Sequence, residues 1–269
     1  MAWSGCGTLS ERGRPLVPTR HQVRTGPFLV FSNFPLGADS EAVRALAALE
    51  RDFQARLGRE PASDLRAVEI YVLDDREAFA HFLKFYYPEL PPRRAFFLAR
   101  DQIRLVYTYS SPKLEEDLRH EATHALLLGA YGTLPLWLDE GLAEYFETDL
   151  AQPALIRERT MRLLDDLASG WSPSLTRLEG LKDIHQMSPR DYREAWAWVH
   201  LFLDGPPESR ADFTRVLEGR DQTSRAEQLA KLGASNERMR DHVQALRSRL
   251  DAAASEPVSS TWLQSLFRR

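Results

Sequence analysis

The chain has 269 residues, 43 % of them hydrophobic, enough to bury one large core or two lobes. A net charge of −4, with arginines scattered among acids, leaves no basic stripe for nucleic acid, and no run approaches the ~18 apolar residues of a membrane-spanning helix. A single cysteine, Cys6, excludes an internal disulfide framework and a thiolate metal cluster, so any bound metal falls to histidine and carboxylate.

Residues 1 to about 25, rich in Gly, Pro, Arg and Ser, read as a flexible leader or linker. MAWSGCGTLSERGRP has no charged start followed by an apolar segment, so no complete signal peptide is visible. SGCG nevertheless resembles the end of a bacterial lipoprotein signal. That reading requires a start upstream of Met1 and implies an extracytoplasmic protein that touches the membrane only through lipid on Cys6. The alternative is an ordinary thiol in a tail.

PFLVFSN (27–33) predicts a strand. SEAVRALAALERDFQARLG predicts a helix capped by Ser40 and ended by Gly58, with Val43, Leu46, Phe53 and Leu57 as its apolar stripe. RAVEIYVL (66–73) predicts a second strand and DREAFAHFLKFY a short helix. Three prolines make 87–94 a loop, and RAFFLAR and QIRLVYTYS form a hairpin around Asp101. From Lys113 onward the chain reads as helical: KLEEDLRHEATHALLLGA stopped near Gly129 and Gly132, then WLDEGLAEYFE. Further helices are expected at about 154–168, 189–204, 207–218, 222–232 and 236–254. The fold class is therefore α+β. A small mixed or antiparallel sheet with one histidine-bearing helix (26–150) precedes a helical lobe (151–254) and a tail (255–269), with a cleft expected between the lobes.

HEATH, residues 120–124, carries the chemistry. Residues four apart on a helix lie on nearly one face, so His120 and His124 can point two imidazoles at one ion, with Glu121 beside it. This is the H-E-x-x-H arrangement, two ligands plus a carboxylate able to deprotonate a metal-bound water. The blander reading is two histidines on an ordinary helix. A catalytic zinc takes three protein ligands and leaves one position for water. The continuation H-x-x-G-x-x-H is absent, since Leu127 and Ala130 stand where glycine and histidine would be needed. A carboxylate on the next helix remains. Glu140 and Glu144 share one face among Leu138, Leu142, Ala143 and Phe146, where burial without a charge partner is costly and a cation would resolve the cost.

HEATH followed by PLWLDEGLAEYF resembles the gluzincin zinc metallopeptidases, closest to peptidase-MA-like domains and more distantly similar to aminopeptidase N and thermolysin. The match covers roughly residues 113 to 150. The resemblance implies a zincin-like fold and one zinc ion held by His120, His124 and Glu140, with Glu121 as general base and Glu144 steadying a ligand histidine. The stretch between His124 and Glu140 is shorter than in aminopeptidase N or thermolysin. The resemblance also implies a Tyr or His oxyanion donor from the helical region, for which DYREAWAWVHLF offers Tyr192, the preferred candidate, and His200. It further implies a peptide or protein substrate laid along the edge strand of hairpin 95–109, where Tyr107 and Tyr109 could line the groove. His81 and His185 read as surface residues and Trp137 as core. Serine-hydrolase, phosphate-binding and dinucleotide-binding motifs are missing. Two other functions stay open: a catalytically silent zincin-fold binding or scaffold protein on a cell surface, and a zinc hydrolase of a non-peptide amide or ester.

Overall fold

A computed structural model describes residues 17–59, 67–100, 103–148, 153–205, 207–218 and 235–255. Cys6, the expected 222–232 helix and the tail with Trp262, Leu263 and Phe267 lie outside these. The elements run β1 (His21–Thr25), β2 (Phe28–Ser32), α1 (Glu41–Leu57), β3 (Val68–Leu73), α2 (Arg76–Tyr86), β4 (Phe96–Arg100) and β5 (Ile103–Tyr109). They continue with α3 (Leu114–Tyr131), α4 (Leu136–Glu147), α5 (Pro153–Ala168), α6 (Leu175–Gly180), a 3₁₀ turn (Ile184–Gln186), α7 (Pro189–Asp204), α8 (Pro207–Leu217) and α9 (Asn236–Ser255). The class is α+β, a small mixed sheet followed by a helical C-terminal part.

The sheet order is β1-β2-β3-β5-β4. β2, β3 and β5 are parallel, because α1 and α2 provide the crossovers that parallel strands need. β1 and β4 are antiparallel edges, and β4 joins β5 as the expected hairpin, with Phe96 opposite Tyr107. Residues 21–25, which the sequence places in a leader, are in fact strand β1. HQVRT has one aliphatic residue in five, so no alternation marks it; its place comes from pairing with β2.

Alternation along β3 divides the sheet into two faces. Val68, Ile70 and Val72 join the core beneath α1 and α3, whereas Tyr71 and Leu73 turn toward α2. α1 is set as expected: the Ser40 hydroxyl accepts from the Val43 N–H, and Gly58 closes the helix with φ of 65°. Leu46, Leu49 and Phe53 on its inner face are fully buried. α3 has three acids in its first turn, which suits the helix dipole, and ends at Gly132 with φ of 71°.

One continuous core runs from Phe28 and Ile70 through Leu126, Trp137 and Phe146 to Trp198, Phe213 and Val243, crossing the boundary drawn from sequence at residue 150. α4 sits between α3 and α7. Gly141 permits that approach, because a Cβ there would meet the Ala195 carbonyl oxygen of α7 at 2.8 Å. No helix among the described residues is long and apolar enough to cross a membrane.

Candidate metal centre

α3 buries Leu118, Ala122, Ala125 and Leu126 and turns His120 and His124 toward α4, their rings 5.0 Å apart. α4 answers with Glu140. Its Oε2 lies 3.6 Å from His120 Nε2 and 3.9 Å from His124 Nε2. The three donor atoms lie within 4.8 Å of one another, in largely buried surroundings. Donors of a four-coordinate ion with bonds of about 2.0–2.2 Å stand about 3.3–3.6 Å apart, so the separations of Glu140 from the two imidazoles are close to those that one cation requires. His120, His124 and Glu140 could hold a metal ion.

The other nitrogen of each ring supports this. His120 Nδ1 lies 2.9 Å from Glu147 Oε2, and His124 Nδ1 lies 2.9 Å from Asp139 Oδ2. A carboxylate only accepts, so both Nδ1 atoms donate and the Nε2 lone pairs are left for an ion. Both orienting acids come from α4, the helix that also carries Glu140. The sequence reading assigns this task to Glu144, and the structure corrects it. Glu144 instead pairs with Arg159 at 3.0 Å, and the same guanidinium holds Glu147 at 2.8 Å. Glu144 and Glu147, four and seven residues beyond Glu140, both return close to its face, but Glu147 reaches the His120 ring while Glu144 reaches Arg159 of α5.

Burial opposes a charge on His120, but the carboxylates of Glu140, Glu147 and Glu121 outweigh it and raise its pKa well above the ordinary value. His124 is likewise raised, with burial opposed by Asp139 and Glu140. Burial would raise Glu140, yet the two imidazoles hold it below the usual range, and Glu147 is lowered against burial by His120 and Arg159. Glu144 is raised by burial and by its acidic neighbours. The site thus demands positive charge. Arg119 locks the scaffold: buried, it donates to the carbonyls of Phe146, Thr148 and Ala45 and pairs with Asp52 at 2.8 Å, tying the end of α4 to α3 and α1.

A cavity of about 490 Å³ opens over the trio, bounded by the 91–93 loop, β4, α3, α4, the 3₁₀ turn and α7. Glu121, Phe97 of β4 and Tyr192 of α7 line it. Burial, then the charges of Glu140 and Glu144, push the Tyr192 phenol up to about 12, so it keeps its proton. His200, the other candidate, is not among the lining residues; it contacts His242 at 3.0 Å in a separate buried cluster. His185, read as ordinary surface, and Arg93 both line the cavity. His185 is exposed, as read, on the short 3₁₀ turn, and Arg93 sits on the 87–94 loop, so neither has a period long enough to aim it at the cavity. Trp137 is core, as expected, and donates to Glu179 at 2.8 Å. Tyr107 is buried among aromatic rings, and Tyr109 faces a different groove.

No protein-family model matches the chain, and no curated protein matches it.

Proposed function

We propose that this protein is a zinc-dependent peptidase of gluzincin type, cleaving peptide bonds in a polypeptide substrate. The observation that carries the reading is the convergence of His120, His124 and Glu140, from two helices, beneath a cavity that Glu121 also lines. The resemblance of HEATH and WLDEGLAEYF to that family supports it. Two imidazoles and one carboxylate, with an open fourth position, are the donor set of hydrolytic zinc.

When bound, zinc lowers the pKa of water to about 7 and polarises a carbonyl as a Lewis acid. Glu121 accepts the attacking water's proton and delivers it to the departing amine. Tyr192, across the cavity and still protonated at neutral pH, donates to the developing oxyanion. Glu147 and Asp139 fix the two imidazoles throughout. β4 presents an edge of the sheet at Phe97, beside the cavity, where an extended peptide can pair by its main chain.

The test is a peptide-library cleavage profile of the zinc-loaded protein and its Glu121→Gln variant, alongside metal analysis. The reading expects about one zinc per chain in both and a loss of about 10²–10⁴-fold in turnover in the variant. Stoichiometric zinc with no peptide cleaved by the wild type would sink it.

A further inference from the structure

A second groove, of about 770 Å³, lies between α2 and the 87–94 loop. Its floor is apolar: Phe79, Leu83, Tyr87, Leu90 and Tyr109. Its rim is cationic, with Arg76, Lys84, Arg93 and Arg94 and no carboxylate among the lining residues. Arg94 is already bound to Glu116 and Asp117. Arg76, Lys84 and Arg93 make no ion pair among the described residues, and the only hydrogen bond of Arg93 runs to the Pro91 carbonyl at 3.4 Å. Such a local excess of positive charge stands out in a chain of net charge −4.

Pro92 and Arg93 line both this groove and the metal cavity, so the two adjoin. Large apolar side chains are exposed at three positions among the described residues: Phe85 (67 %), Tyr86 (45 %) and Ile184 (40 %). Phe85 and Tyr86 lie on other sides of α2 and do not line the groove, whereas Ile184 lines the metal cavity. Arg76, Lys84 and Arg93 therefore gather on the groove that adjoins the metal cavity.

We propose that the groove between α2 and the 87–94 loop binds an apolar, acidic stretch of the polypeptide, seating a large apolar side chain against the half-buried Tyr87 and Leu90 and holding neighbouring carboxylates with Arg76, Lys84 and Arg93. The description of that polypeptide as a substrate rests on the peptidase reading; the binding itself does not. Opposite charge along the rim steers an acidic chain to the metal cavity and fixes its register, while the apolar floor supplies most of the affinity.

Binding to the zinc-loaded Glu121→Gln protein can be followed by fluorescence anisotropy with labelled octapeptides of alternating Phe and Glu, the Phe and Gln counterpart, and both with amidated C-termini. The expected result is about fivefold or more tighter binding of the Glu peptide, weakened by salt and unaffected by amidation. That preference should vanish with Arg76→Gln and Lys84→Gln together and turn toward a Phe and Lys peptide with Arg76→Glu and Lys84→Glu. Both positions are exposed, and circular dichroism checks that the variants fold. Equal affinity for Glu and Gln peptides, a preference indifferent to those substitutions, or one that depends only on the free C-terminus overturns the inference. The outcomes remain separable. Cleavage by the wild type without acidic preference removes the groove's role and leaves the peptidase reading intact, whereas selective binding without any cleavage does the reverse.

Discussion

Glu147 and Asp139 each hold the Nδ1 of one imidazole, and such partners typically govern affinity for the ion by 10–100-fold. Glu147→Gln should accordingly weaken zinc binding by about tenfold to a hundredfold, measured by competition with a chromophoric chelator. Glu144→Gln should change it less, since Glu144 reaches Arg159 rather than a ring nitrogen. Equal losses from the two variants would contradict this ordering. Tyr192→Phe removes only a hydroxyl. If that hydroxyl meets the oxyanion, kcat should fall by about 10²–10³-fold while KM moves little; a change confined to KM would make Tyr192 a substrate contact instead. Asp117 marks another point of tension near the site. Burial raises its pKa to about 6 despite Arg94, and one of its oxygens has no hydrogen-bond partner.

At the level of elements, the α4–α7 seam depends on the missing side chain at Gly141. Gly141→Ala would drive a methyl group into the Ala195 carbonyl, with Val199 only 3.0 Å away on the same helix. A loss of about 1–3 kcal/mol in unfolding free energy is expected from chemical denaturation, with a drop in zinc affinity because Glu140 is the adjoining residue. Unchanged stability would mean that the helices separate without cost. This seam also shows what the sequence could and could not reveal. The pairing of His120 and His124 follows from their four-residue spacing on one helix, whereas Glu140 was legible from the cost of burying its carboxylate and from the family resemblance rather than from any period linking α4 to α3. Which acid serves each Nδ1 depends on how α4 rotates against α3, and that rotation is set by Trp137, Leu138, Leu142 and Phe146 burying themselves in concert. No local pattern chooses between Glu144 and Glu147. β1 escaped notice for a related reason: an edge strand with little apolar alternation owes its form to its neighbour. The approach of His185 and Arg93 to the cavity was hidden because a single 3₁₀ turn and a loop offer no period to extrapolate.

Across the whole molecule, a buried polar knot joins α1, α4, α7 and α9. Asp204 accepts from Tyr145 and pairs with Arg56, both at 2.7 Å, while His200 meets His242 at 3.0 Å. Burial, then the charges of His200 and Arg249, lower His242 to about 3 from an ordinary 6.5, and burial lowers His200 as well; Asp204 opposes both shifts. Between pH 6.5 and 3 the unfolded chain binds a proton at His242 that the native chain does not, so acidification favours unfolding. The slope from this group is at most about 1.4 kcal/mol per pH unit. Thermal melts of the wild type and His242→Gln should therefore diverge below about pH 6.5, the wild type falling more steeply; parallel curves would dismiss the knot as a source of acid sensitivity. His120 and His124, whose pKa values are raised, act in the opposite sense when no cation is present, so the comparison relies on the difference between the two proteins. One further property follows from placing Asp139, Glu140 and Glu147 on a single rigid rod. Inserting or deleting one residue at the start of α4 would swing all three by about 100° together. Changes of loop length elsewhere leave the three in mutual alignment, whereas a change of length here would turn the candidate ligand and both ring partners away together.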